Sequence, residues 1–195
     1  MASSRNTIWT VVFAVIIVLM AAEIALLINE NRDLKASLDE LTAMFEPLAA
    51  DQRLPALSGE DVNGMPFSLR YSIESPTTVV LWFSPSCDAC EGNLDFWNSL
   101  CNRYASENLR FIALCAGTAD EARTFANAHA MPYPVVAVTD SRLLDAYRGH
   151  VLPQTVVVSP DGMVLQAWPG TLEPDAQNEI IRAVERIRTG SPVVQ

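Results

Sequence analysis

A stretch of seven residues without a charge, Thr77 to Phe83 (TTVVLWF), is followed four residues later by Cys87 and three residues after that by Cys90. A continuous apolar run rich in β-branched and aromatic residues suits a central strand covered on both faces. From Ser86 to about Ala105 the pattern changes. Leu94, Trp97, Leu100, Cys101 and Tyr104 recur at the 3.6-residue period of an amphipathic helix. The C-x-x-C pair therefore stands where a buried strand hands over to a helix, and few folds build that junction.

The rest of the chain continues the alternation. Phe67 to Leu69 is a short strand candidate after the turn Asn63-Gly64. Leu109 to Cys115 is a strand. Ala119 to His129 is a helix with Thr118 as its cap and Asp120 and Glu121 in its first turn. Val135 to Val138 is a strand, and Arg142 to Tyr147 a short helix stopped by Gly149. Gln154 to Ser159 and Met163 to Ala167 flank the hairpin turn Pro160-Asp161-Gly162. Pro174 to Arg188 is a final amphipathic helix. The order from Thr77 is β-α-β-α-β-α-β-β-α. It predicts an α/β fold whose mixed central sheet carries helices on both faces.

The position of the cysteines carries their chemistry. The first N–H groups of a helix have no intrahelical partner, and the helix dipole is positive there. A thiolate at Cys87 gains from both, so its pKa is expected below the free value of about 8.5. Cys90 lies on the same helix face, within disulfide reach. Cys87 is the expected exposed attacker and Cys90 the buried resolver. A structural disulfide is the plainer alternative for the same spacing.

The stretch WFSPSCDAC, followed by VLPQTVVVSPDGMVLQAWPG, resembles the thioredoxin superfamily. The strand and helix between about 109 and 138 make the spacing similar to that of the membrane-anchored TlpA/ResA-like redoxins. SPSCDAC is also similar to the MauD-type redoxins that serve disulfide-rich partners. The resemblance covers about Leu54 to Arg188. It implies a thioredoxin-like fold and a thiol-disulfide oxidoreductase with Cys87 and Cys90 as its catalytic pair. It makes Pro153 a cis-proline packed against that pair. Leu152 and Ser86 become substrate-binding positions, with the Leu152 backbone free to pair with a substrate strand. It also implies reduction of disulfides in exported proteins, such as apocytochrome c in cytochrome c maturation. A membrane-bound thiol donor would supply the electrons. No cofactor is implied.

Several residues depart from those families. Ser86 stands where thioredoxins carry Trp. Leu81 occupies the place of their buried carboxylate, and Asn93 that of the ResA-type acid, while Glu91 is expected to face solvent. The base for Cys90 is thus unassigned. Asp88, between the cysteines, opposes a thiolate and favours a more reducing pair, against the opposite pull of the helix terminus. Two other readings stay open. Ser84 to Cys87 satisfies the S/T-x-x-C of a peroxiredoxin, although the proline expected four residues before Ser84 falls at Val80. A redoxin fold can also serve as a non-catalytic membrane scaffold.

Before this domain, Ile8 to Ile28 (IWTVVFAVIIVLMAAEIALLI) has Glu23 as its only charge. A bilayer core needs about 20 apolar residues in a helix. Residues 8–28 are therefore an expected transmembrane anchor behind a cytoplasmic tail 1–7. A cleaved signal peptide fits less well, because Met20 is bulky at the cleavage site and the apolar run continues past it. Flanking charge is nearly balanced, so the redox chemistry decides for an inner-membrane protein with its domain on the periplasmic or extracytoplasmic side. Residues 29–53 are expected to form a juxtamembrane amphipathic helix and, from 47, a linker. Residues 54–190 form the redoxin domain and 191–195 a tail.

Ile24, Asn31, Leu38 and Phe45 repeat every seven residues, as do Leu27, Leu34, Leu41 and Leu48. This a/d pattern over 24–48 could join two copies in a homodimer, or lie as a lone amphipathic helix. The net charge of −10 argues against a nucleic-acid partner. Cys101, Cys115, His129 and His150 show no metal-ligand spacing. Cys101 and Cys115 are expected to be buried and unable to bond each other, with an auxiliary role conceivable for Cys115. The histidines are expected at the surface, and Trp82, Trp97 and Trp168 in the core or a groove.

Overall fold

The computed structural model describes residues 2–44 and 46–189. The chain divides into two compact units, residues 1–44 and 45–195. The first is one helix, α1 (Ala2–Met44). The expected tail, anchor and juxtamembrane helix thus run together without a break. Side chains at 8, 10–13, 15 and 18, on which the anchor expectation rests, lie outside the described residues. Among those described, no helix is long and apolar enough to cross a membrane. The expected tail 191–195 also lies outside the described residues.

The second unit contains a two-stranded antiparallel ribbon, β1 (Leu57–Glu60) with β2 (Pro66–Leu69). It then contains β3 (Thr77–Phe83), α2 (Asp88–Tyr104), β4 (Leu109–Cys115), α3 (Ala119–Ala128), β5 (Val135–Ala137) and α4 (Ser141–Ala146), followed by β6 (Gln154–Val158), β7 (Val164–Pro169) and α5 (Pro174–Arg188). The five-stranded sheet has the order β5-β4-β3-β6-β7. β3 pairs in parallel with β4 and antiparallel with β6, so the sheet is mixed, as the element order required.

Every residue of β3 is buried, because alternate side chains enter two different cores. Val79, Leu81 and Phe83 pack with Leu94 and Trp97 of α2, Phe125 of α3 and Ile180 of α5. Val80 and Trp82 face the other way, against Leu48, Leu54, Leu69 and Tyr147. This second layer includes the segment expected to be a linker. Leu48 and Leu54 are buried, and the backbone between them is tied down. The Leu48 N–H donates to Gln154 Oε1 at 2.9 Å. The Asp51 and Leu54 N–H groups donate to the carbonyls of Val164 and Gly162. Two leucines bracketing a polar stretch draw it onto the sheet, because each buried leucine side chain contributes about 1.5–3 kcal/mol.

Two glycines are set by close approach. A Cβ on Gly149 would stand 2.9 Å from the Trp82 ring, and one on Gly162, at φ +91, 2.9 Å from Tyr71.

Candidate active site: the Cys87–Cys90 pair

Cys87 is the N-cap of α2, with extended backbone (φ −107, ψ 97) and no side-chain cap of its own. The turn into it is local. Ser84 accepts from the Cys87 N–H through its carbonyl at 3.1 Å, and the Ser84 and Ser86 hydroxyls lie 3.0 Å apart. Cys87 and Cys90 are joined in a disulfide with Cα atoms 5.3 Å apart. Cys87 is half-buried and Cys90 fully buried, while Ser86 and Asp88 are exposed.

The expected docking strand starts at the same end of the sheet. Trp82 is paired with Gln154, which brings residues 152–153 beside the chain leaving β3. The Leu152–Pro153 peptide is cis. Pro153 is buried and Leu152 half-buried. The Pro153 carbonyl accepts from the Gly170 N–H at 2.7 Å. Among the described residues, the Leu152 N–H and carbonyl carry no hydrogen bond. The structure thus brings Ser86, Cys87, Cys90, Leu152 and Pro153 to one edge.

Two buried amides hold the surrounding loops. Asn93 Nδ2 donates to the Gly170 carbonyl at 3.1 Å, and its Oδ1 accepts from the Leu172 N–H at 2.9 Å. The residue at the expected acid position therefore clamps the β7–α5 loop and has no proton to trade. Gln154 does the same on the other side. Besides holding Leu48, its Nε2 donates to the carbonyls of Arg148 and Val151. Sequence reasoning missed both clamps. Their only sequence signal is an amide at an otherwise apolar position. Leu81 is fully buried among apolar neighbours, so neither family position for a base holds one here.

The other two cysteines are free and buried. Cys115 ends β4 opposite Phe83. Burial first, and the Glu121 carboxylate second, push its thiol up to about 12. Burial also raises Cys101. Glu121 itself is held below the usual carboxylate range by the Thr118 hydroxyl and N–H, which close a capping box at the start of α3. His129 caps the end of α3 against the Phe125 ring, and exposed His150 sits 3.3 Å from Asp145. Trp82, Trp97 and Trp168 are buried. The Trp97 Nε1–H donates to Thr155 Oγ1 at 2.8 Å. No group of three potential metal ligands gathers among the described residues.

A family model described as the AhpC/TSA family matches residues 50–167. No curated protein matches the chain. Among solved structures, the thioredoxin domain of a thiol-disulfide oxidoreductase from Bacteroides vulgatus is 17% identical. It superposes with a TM-score of 0.59, covering 70% of this chain and 99% of that one. A thiol:disulfide interchange protein of the thioredoxin family from Chlorobium tepidum is 21% identical, with a TM-score of 0.57 over 72% of this chain and 98% of that one. A candidate thiol:disulfide interchange protein DsbE, also from Chlorobium tepidum, is 13% identical. Its TM-score is 0.63 over 72% and 98% of the two chains. At these identities the likeness is one of fold, and the fold is thioredoxin-like.

Proposed function

This chain belongs to the AhpC/TSA family, and on that premise we propose that it is a thiol-disulfide oxidoreductase that reduces disulfides of exported proteins through Cys87 and Cys90. The Cys87 thiolate attacks one sulfur of a substrate disulfide. A mixed disulfide forms and the other substrate sulfur leaves as a thiolate that takes a proton from water. Cys90, losing its proton to solvent, attacks Cys87, forms the Cys87–Cys90 disulfide and releases the second substrate thiol. Two electrons pass from the dithiol to the substrate, and a membrane-bound dithiol donor restores the pair.

The observation that carries this reading is the half-exposed Cys87 at the start of α2, bonded to a buried Cys90 one turn away. The unbonded Leu152 backbone at the same edge suits an added substrate strand. The neighbours named as thiol:disulfide interchange proteins support thiol-disulfide exchange as the chemistry of this fold. The apolar run Ile8 to Ile28 supports an inner-membrane anchor with the redoxin domain outside the cytoplasm. The a/d stripe supports pairing of two copies, though a shorter stripe than its spacing suggests. Ile24, Leu27, Leu34 and Leu38 are exposed on α1, whereas Leu48 lies in the domain core beyond the end of the helix.

The test is a Cys90→Ser variant of the full chain. It should accumulate a mixed disulfide with its natural substrate, and the wild type should not. Recovery of no adduct, with glutathione disulfide left unreduced by the wild type, would remove the reading. Equilibration against glutathione couples then fixes the direction, a low reduction potential being the expected result.

The family match also favours a second reading, a peroxidase using Cys87. Val80 in place of the expected proline weighs against it. A peroxidatic cysteine also needs a nearby arginine to polarise peroxide, and Arg123 is held by Asp120 and the Val62 carbonyl. Peroxide consumption that survives Cys90→Ser would favour the peroxidase.

A further inference from the structure

Two adjoining hollows open on the α3 side of the reactive pair. The smaller, about 260 Å³, is walled by Ser84, Pro85, Ser86, Ala116 and Glu121. The larger, about 450 Å³, adds Asp120, Thr124, Phe125 and Ala128 to the shared Pro85 and Glu121. The two share Pro85 and Glu121, and Ser86, the chain neighbour of Cys87, lines the smaller one, so together they form a shallow open channel that begins beside the reactive residue and runs along the first turns of α3. Sulfur exchange needs an approach to Cys87 only, and this channel extends well past it.

The floor is apolar and fixed. The Phe125 ring stacks on Phe83 of the central strand with centroids 5.1 Å apart, and Pro85 forms the near wall. The rim is acidic. Glu121 is held in place by the Thr118 hydroxyl at 2.7 Å and its N–H at 2.9 Å, and it is ionised at neutrality because those donors favour the charged form. Arg123 answers Asp120 at 2.7 Å but not Glu121. In the first turn of α2, Asp88 and Glu91 are exposed and form no ion pair among the described residues.

We propose that this channel seats the substrate residues next to the attacked disulfide and selects a bulky apolar side chain flanked by lysine or arginine. The inference rests on the thiol-exchange reading of Cys87 and names its substrate class. An apolar side chain over Phe125 and Pro85 leaves water, while a neighbouring cation meets Glu121 at the rim. Opposite charge around the sulfur also speeds encounter, and salt weakens that effect.

The experiment uses the full reduced chain and glutathionylated peptides with Phe beside the cysteine, on either side, and a Lys or a Glu next to the Phe. Each peptide rate is divided by the same protein's rate with glutathione disulfide, which carries no bulky apolar side chain. The wild type should prefer the Lys peptide by about tenfold at low salt. The preference should fall several-fold in Glu121→Gln, which keeps an oxygen for the capping box, and vanish or invert in Thr124→Lys. Equal rates for the Lys and Glu peptides would overturn the inference, as would a preference unchanged in both variants. No exchange with glutathione disulfide would instead sink the redox reading beneath it.

Discussion

Cys87, just beyond β3, and Cys115, the last residue of its neighbour β4, lie at the same end of the sheet, and their surroundings make opposite demands on a thiol. Cys115 is in register with Phe83, and Cys87 follows Phe83 by four residues. Cys115 is shut inside the sheet, with the Glu121 carboxylate facing it, and its thiol keeps its proton to about 12. Cys87 is half-exposed at the first turn of α2, where unpaired N–H groups and the helix dipole favour an anion. The same side chain is a packing group in one place and a nucleophile in the other. The difference lies in what each sulfur faces.

The sharpest way to break that contrast is to exchange the roles. Cys87→Ser should reduce disulfide reduction to the uncatalysed rate, whereas Cys115→Ala should keep it while losing about 1–2 kcal/mol of stability. A glutathione-disulfide assay beside urea denaturation reads both. Equal loss of activity in the two variants would erase the distinction.

Asn93 is the next largest test. Asn93→Leu leaves the Gly170 carbonyl and Leu172 N–H without their partner, and should cost about 2–3 kcal/mol in urea unfolding. If Asn93 instead served as the missing proton acceptor for Cys90, the loss would appear in the rate of resolution at unchanged stability.

Alkaline stability sharpens the buried side of the comparison. The folded protein holds the Cys115 proton to about 12, against the free thiol's value of about 8.5. The unfolded chain therefore binds fewer protons between those values, and stability falls as pH rises through that window. Burial raises the Tyr133 and Tyr147 phenols in the same direction. The urea midpoint should drop from about pH 9 upward, less steeply in Cys115→Ala. A midpoint flat to pH 11 would mean that Cys115 is not enclosed.

The smallest effect belongs to the cap that fixes Glu121. Thr118→Ala should cost about 1 kcal/mol in thermal or urea unfolding, and should loosen the carboxylate that opposes ionisation of Cys115.

Much of this fold was legible because apolar patterning is local. The run TTVVLWF announced a strand buried on both faces, and α5 spans residues 174–188, as its periodicity predicts. Strand β1 was not legible, because only Leu57 of its four residues is buried and the pattern LSGE carries no alternation. The junction placing Cys87 at a helix start was readable from adjacent residues. The clamps at Asn93 and Gln154 were not. Their partners lie 77 and 106 residues away in the chain, and a single amide in an apolar run does not say what it will hold. The channel beside Pro85 was hidden for the same reason, since α3 meets the strand end only in three dimensions.

Competitive alkylation of the reduced, folded full chain at pH 7, read cysteine by cysteine by mass spectrometry, tests the contrast directly. Cys87 should be modified at least about a hundredfold faster than Cys115, since the thiolate is the reactive form. Cys115 should react only when the chain is unfolded. Similar rates at the two sulfurs, or a Cys87 that reacts only after unfolding, would contradict it.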